Sequence, residues 1–261
     1  VTAALRAEWI KLGRSRFFFG TLAAVVSVAT LGAVLTMLSV GRRDYDGVPV
    51  TAPAMSRPDG VMQGLEAVSI LLGVVGLAVT AAVIGADYTQ GTLRNQLMAQ
   101  PHRLRLLAGK CLALVTFMMT MIAAATVVAA AASFAIAPIR GVDTAAWHSL
   151  AGLTEIGKGY LNVLASSLGY ATLGLLAGVV FRSPAAAVSV AVAYALPLEM
   201  LVSRIFSPAE SWLPARLMDA LASGARGYRI AYEAAGLRIL VFCAAAVAAA
   251  LVLFARRDVT S

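Results

Sequence analysis

Charge is what this sequence has least of. Asp, Glu, Lys and Arg together make up 13% of its 261 residues, about half the share of a soluble domain, and long stretches hold none. A water-soluble fold with so few charges would have to bury nearly everything. Cysteine and histidine are also sparse, at two residues each. Cys111 and Cys243 fall in separate apolar runs, so a disulfide framework is not expected and core packing is the role to look for. His102 and His148 stand alone without ligand spacing, and no metal site can be argued from them. The sequence contains no Gly-x-x-x-x-Gly-Lys-Ser/Thr phosphate loop, no His-Glu-x-x-His and no nucleophile set beside a base. An enzyme is therefore not expected, and these residues offer no nucleotide site.

What the sequence does have is apolar length. Hydrophobic residues make up 60% of it and the mean hydropathy is +0.84. They gather in runs of about 20 residues, the length that crosses about 30 Å of hydrocarbon. Six such runs cover 17–40, 61–86, 106–137, 160–180, 184–202 and 235–255. The expectation is an all-α integral membrane protein, with a single transmembrane domain over 1–261 folded as a six-helix bundle. The first run follows Arg6, Lys11, Arg14 and Arg16 and so has the basic flank of a secretory signal. It is longer than a signal's apolar region of about 7–15 residues and stays apolar throughout, so it reads as a retained anchor.

Orientation follows from where the basic residues crowd. One side collects residues 1–16, the segment 87–110, the Arg182-Ser183 turn and the tail from Arg256. The other collects 41–60, 138–159 and 203–238. They hold eleven and ten Lys/Arg, but the first side is far shorter and its charges sit close to span ends, which is what the positive-inside rule weighs. Both termini are expected in the cytoplasm of a multi-pass cell-membrane protein. The first side carries only three acids, Glu8, Asp87 and Asp258, so nearly the whole net charge of +8 lies there. Such a surface suits anionic lipid or an acidic partner. Nucleic acid is not expected, because the basic residues are strung along membrane edges and no nucleic-acid module is legible.

Residues 87–105 form the most informative connection. Gly91 can take the left-handed conformation that ends a helix, and Thr92 can cap the next one. Leu93, Leu97 and Met98 then share a face while Arg94 and Asn95 point elsewhere, which predicts a short amphipathic helix at the membrane surface, ended by Pro101. Arg103, Arg105 and Lys110 follow at the interface, where stems can stay apolar while charges reach water. At the amino terminus, residues 1–16, with Glu8 and Lys11 three apart, are read either as a helix that couples to a partner or as a lipid anchor with Trp9 at the headgroups.

At these residues the sequence resembles the permease subunits of ABC-2 type transporters. That family shows an acidic residue, Gly-Thr, a Leu, a Pro, an Arg and a Lys across its first cytoplasmic loop, and Asp87, Gly91, Thr92, Leu97, Pro101, Arg103 and Lys110 stand in the matching places. Asp87 departs from the more usual Glu by one methylene. Leu5 to Leu12 looks like the family's amphipathic N-terminal helix. The resemblance implies an exporter half with no cofactor of its own: a separate ATPase pair would bind ATP and Mg, and a second permease chain, as homodimer or heterodimer, would complete the pathway. It also implies that Glu8, Lys11, Asp87, Gly91, Thr92, Leu93, Arg94, Leu97, Pro101 and Arg103 meet the ATPase. The substrate expected is hydrophobic or amphipathic, and the location the bacterial inner membrane.

Two other readings stay open. A secondary transporter would need repeated halves and midplane ionisable groups, and neither is evident. A non-transporting anchor or immunity subunit that recruits an ATPase is compatible with the same residues. Within the spans, Gly174 and Gly178 predict close helix packing. Asn162, Ser166, Ser167, Tyr170 and Thr172 give the fourth span a polar content that could line a pathway or bond its own backbone. Glu66 and Glu199, near span ends, are expected at the interface, and 203–234 is expected to be an extracytoplasmic loop with short re-entrant or surface helices.

Overall fold

The computed structural model describes residues 2–43, 49–92, 98 and 103–256. Its helices are α1 (Thr2–Leu12), α2 (Ser15–Leu38), α3 (Ala52–Met55), α4 (Gln63–Ala67), α5 (Ser69–Thr89), α6 (Arg103–Ile136), α7 (Leu150–Phe181), α8 (Pro184–Ala193), α9 (Glu199–Ile205), α10 (Pro214–Ala222) and α11 (Tyr232–Arg256). Among the described residues six stretches are long and apolar enough to cross a membrane: Ser15–Leu38, Ser69–Thr89, Leu104–Arg140, Leu150–Phe181, Pro184–Ile205 and Tyr232–Phe254. The chain is an all-α, six-span membrane protein. We call the end of the bundle that carries α1 the near end, and the opposite one the far end.

The fourth span is the axis of the bundle. In its most apolar stretch 72% of residues are buried, against 22% in each of the first, fifth and sixth spans, whose outer faces expose Phe19, Leu35, Leu201, Leu237 and Leu240. Such faces suit lipid, which solvates apolar side chains as readily as a protein core does. Small residues decide how close the second and fourth spans come. A Cβ at Gly174 would stand 2.3 Å from the Leu77 carbonyl oxygen, one at Gly178 2.8 Å from Cβ of Ile84, and one at Gly73 2.2 Å from the Tyr170 ring. The Gly-x-x-x-Gly pair thus serves packing inside the chain. On the other flank, α2 meets α4 where Gly32 and Gly64 abut, and Phe17 and Phe18 pack their rings on Phe117 of α6.

The polar residues of the fourth span face the protein rather than one shared outer surface. Ser166 and Ser167 are fully buried. Thr172 donates back to the Gly169 carbonyl at 2.7 Å, and Asn162 accepts from the Tyr232 hydroxyl at 2.6 Å. Cys111 and Cys243 are both free thiols.

In the fifth span two features differ from the sequence expectation. The fifth span is not one continuous α-helix: residues Tyr194–Leu198 form a π-turn around Pro197, because proline cannot donate to the helix ladder and its ring displaces the preceding turn. Glu199, expected at the interface, is 1% exposed, with one carboxylate oxygen accepting from two backbone amides of α10. At the far end Trp147 donates to the carbonyls of Arg57 and Met55. Arg226 pairs with Asp59 and Glu66, and Asp219 of α10 accepts from Ser69 and Tyr228.

Candidate functional site at the near end

Three helices meet at the near end through their charges. The inward face of α1 carries Leu5, Glu8, Trp9 and Leu12, with Glu8 and Leu12 fully covered, while Ile10 points outward. This face is not apolar throughout: a carboxylate sits in its centre. Burying one is costly without a cation and hydrogen bonds to satisfy it, and α6 provides the cation. Nζ of Lys110 lies 2.5 Å from Oε1 of Glu8 and 2.5 Å from Oδ2 of Asp87, the acid in the last turns of α5. Lys11 closes the cluster, with its Nζ 3.0 Å from Glu8 Oε1 and 3.1 Å from Asp87 Oδ1. Glu8, Asp87 and Lys110 are 2%, 6% and 2% exposed, so water contributes little and the four charges must compensate one another. Partial burial would lower the pKa of Lys11, but the carboxylates of Asp87 and Glu8 outweigh it and hold the ammonium above the ordinary lysine value.

The loop after α5 is drawn into the same cluster. Gly91 has a φ of +64°, the left-handed conformation expected of it, and turns the chain back. The helix that Thr92 is expected to cap lies outside the described residues; its hydroxyl donates to Asp87 Oδ1 at 2.8 Å. A buried carboxylate is a stronger acceptor than a neutral carbonyl, and Thr92 supplies one more of the bonds that Asp87 needs. Trp9 also turns inward rather than to headgroups. Its Nε1 donates to Thr116 Oγ1 at 2.9 Å and its ring meets Phe117 edge-on at 6.3 Å. Trp9→Phe keeps the ring contact and loses the hydrogen bond, and should cost about 1 kcal/mol of stability. Trp9→Ala removes both, at about 3 kcal/mol or more. Thermal melts in detergent, with the two variants compared side by side, check this ordering.

Of the residues expected to meet a partner, Glu8, Lys11, Asp87 and Thr92 are thus brought together, with Gly91 shaping the turn beside them. Leu93, Arg94, Leu97 and Pro101 lie outside the described residues, and Arg103 opens α6. Lys110 belongs to the cluster although the sequence placed it at the interface as one more basic residue. The signal that could have found it is the family pattern, in which Asp87 and Lys110 both have matching places. A pocket of about 450 Å³ opens beside the cluster, lined by Lys11, Arg14, Phe17, Val83, Asp87 and Thr92 among others. Among the described residues no group of three or more His, Cys, Asp or Glu is placed to hold a metal ion.

The arrangement is a clasp. It fixes α1 to the last turns of the second span and the first turns of the third, with Asp87 and Thr92 before the 93–102 segment in sequence and Lys110 after it. A family model described as ABC-2 family transporter protein matches residues 4–198, a stretch that contains all four charges of the clasp. The chain belongs to the ABC-2 transporter family. No curated protein matches it. As an ABC-2 permease it is the membrane-spanning transport subunit. The clasp therefore sits where α1 meets the second and third spans of that subunit.

Proposed function

We propose that this chain is the permease half of an ATP-driven exporter, moving a hydrophobic or amphipathic substrate with energy from a separate ATPase subunit. The near end faces the cytoplasm of a bacterial inner membrane, with both termini there. ATP and Mg are held by the ATPase, and a second permease chain completes the pathway. The observation that carries the reading is the clasp: Asp87, before the 93–102 segment in sequence, and Lys110, after it, share one buried ion cluster with α1, so a push delivered between them meets three helices joined by their charges. The displacement is passed to α1, α5 and α6 together. Family membership, and the lack of a phosphate loop in the 261 residues, support an external source of ATP hydrolysis.

In this reading the apolar face of Leu93 and Leu97, flanked by Arg94 and Arg103, is the surface the ATPase grips. Glu8, Lys11, Asp87 and Thr92 act behind it, holding the surface in place. The test is purification of tagged protein in mild detergent from its own host's membranes, followed by mass spectrometry of co-purifying chains. A phosphate-loop ATPase near one-to-one stoichiometry is expected. The paired substitutions Leu93→Asp and Leu97→Asp should abolish its recovery while the permease still inserts. Unchanged recovery would overturn the assignment of this surface, and no ATPase in any detergent would overturn the exporter reading.

A further inference from the structure

The far end holds a second joint, one the near-end mechanism does not use. Helix α10 begins at Pro214, follows Leu213, and has no side-chain cap of its own. Its first free amides would be orphaned in a buried setting, since Ala215 is 3% exposed. Glu199 satisfies them from fifteen residues upstream of Pro214: its Oε2 accepts from Ala215 N at 2.8 Å and from Arg216 N at 3.2 Å. A carboxylate at a helix amino terminus also meets the positive end of the backbone dipole. The side chain doing this stands directly after the π-turn Tyr194–Leu198 with Pro197 inside it, a place where a helix bends at low cost. The apolar face of α10, with Leu217, Met218, Ala220 and Leu221 buried, closes the space beside the fourth and sixth spans. Met218 packs on Gly169, and the Tyr170 hydroxyl donates to the Ala215 carbonyl at 3.3 Å.

We propose that Glu199 is a positioning residue that latches α10 to the bend of the fifth span, so that flexing at Pro197 and seating of α10 are one motion. The latch makes α10 the far-end closure, and it carries a change of angle in the fifth span to that closure without passing through the near-end clasp. The proposal requires that the chain spans a membrane and does not require an ATPase. Failure to recover an ATPase therefore leaves it standing, and its own failure leaves the exporter reading standing.

The experiment uses the full chain in lipid nanodiscs, where both faces meet a charged maleimide. Cys111→Ala and Cys243→Ala remove the native thiols, and Ala220→Cys places a reporter on the buried face of α10. With Glu199 intact, labelling is slow. Glu199→Ala should speed it about tenfold or more, the local opening that follows loss of two charge-assisted hydrogen bonds. Glu199→Gln still presents an acceptor oxygen to the same amides, and should return the rate close to that of the parent. Pro197→Ala should change the rate when Glu199 is present and leave it unchanged in the Glu199→Ala background, the non-additivity expected of two residues acting through one joint. An unchanged rate in Glu199→Ala overturns the proposal, and so do additive effects of Pro197 and Glu199. Labelling that rises equally at an Ala29→Cys reporter in the buried face of the first span also overturns it, since the carboxylate would then support the whole fold rather than α10.

Discussion

Lys110→Met should free α1 from the bundle and lower the stability of the near end by about 3–5 kcal/mol, the usual cost of removing one partner from a buried ion pair. The lysine bonds both acids at 2.5 Å. Without it Glu8 and Asp87 remain buried with Lys11 as their nearest cation, and the Lys11 side chain is 37% exposed, so part of its charge is already spent on solvent. Two facing carboxylates with one half-solvated ammonium cannot both stay ionised at low cost, and moving α1 away is the available relief. A thermal melt in detergent reads the loss. Protease sensitivity between α1 and α2, near Gly13, reports the release itself. The triple variant Glu8→Gln, Asp87→Asn, Lys110→Met should be more stable than Lys110→Met alone, because removing every buried charge costs less than orphaning some of them. If the single variant melts with the wild type, the cluster is not what holds α1.

The clasp also shows where sequence reasoning stops. The six spans were legible because hydrocarbon thickness sets a run length, and a chain with 13% charge has few ways to interrupt a run by accident. The turn at Gly91 was legible because a left-handed φ has few residue types to serve it. What could not be read was direction. Lys110 stands at the start of an apolar run, where a lysine ordinarily reaches back to water, and whether it reaches inward instead depends on which acids other helices bring to it. Those acids are 102 and 23 residues away, beyond any local pattern. Glu199 was misjudged for the same reason: its partners are the amides of a helix whose position could not be known. Trp9 likewise looks like a headgroup anchor until Thr116 is placed beside it. Period and composition locate elements along the chain, whereas buried polar groups are explained by contacts between elements.

Gly174→Leu tests the contact on which the rest of the bundle is assembled. At Gly174 the nearest atoms to a new Cβ are the Leu77 carbonyl oxygen at 2.3 Å, the Leu77 carbonyl carbon at 3.0 Å and the Ala81 nitrogen at 3.1 Å. These are backbone atoms in mid-helix and cannot turn aside as a side chain could. The second and fourth spans must move apart, and overpacking of this kind costs about 1–3 kcal/mol, with more expected where backbone is forced. The separation has consequences at both ends, since α5 carries Asp87 of the clasp and α7 carries Tyr170, which bonds α10. We expect loss of monodisperse protein in size-exclusion chromatography, or a melting transition far below that of the wild type. Gly157 on the same helix supplies the contrast. A Cβ there meets nothing within 4 Å, so Gly157→Ala should be neutral or stabilising by up to about 1 kcal/mol through helix propensity alone. Equal melting of Gly174→Leu and Gly157→Ala would mean that the spans are not in the close register described, and the coupling of near and far ends through α5 and α7 would lose its basis.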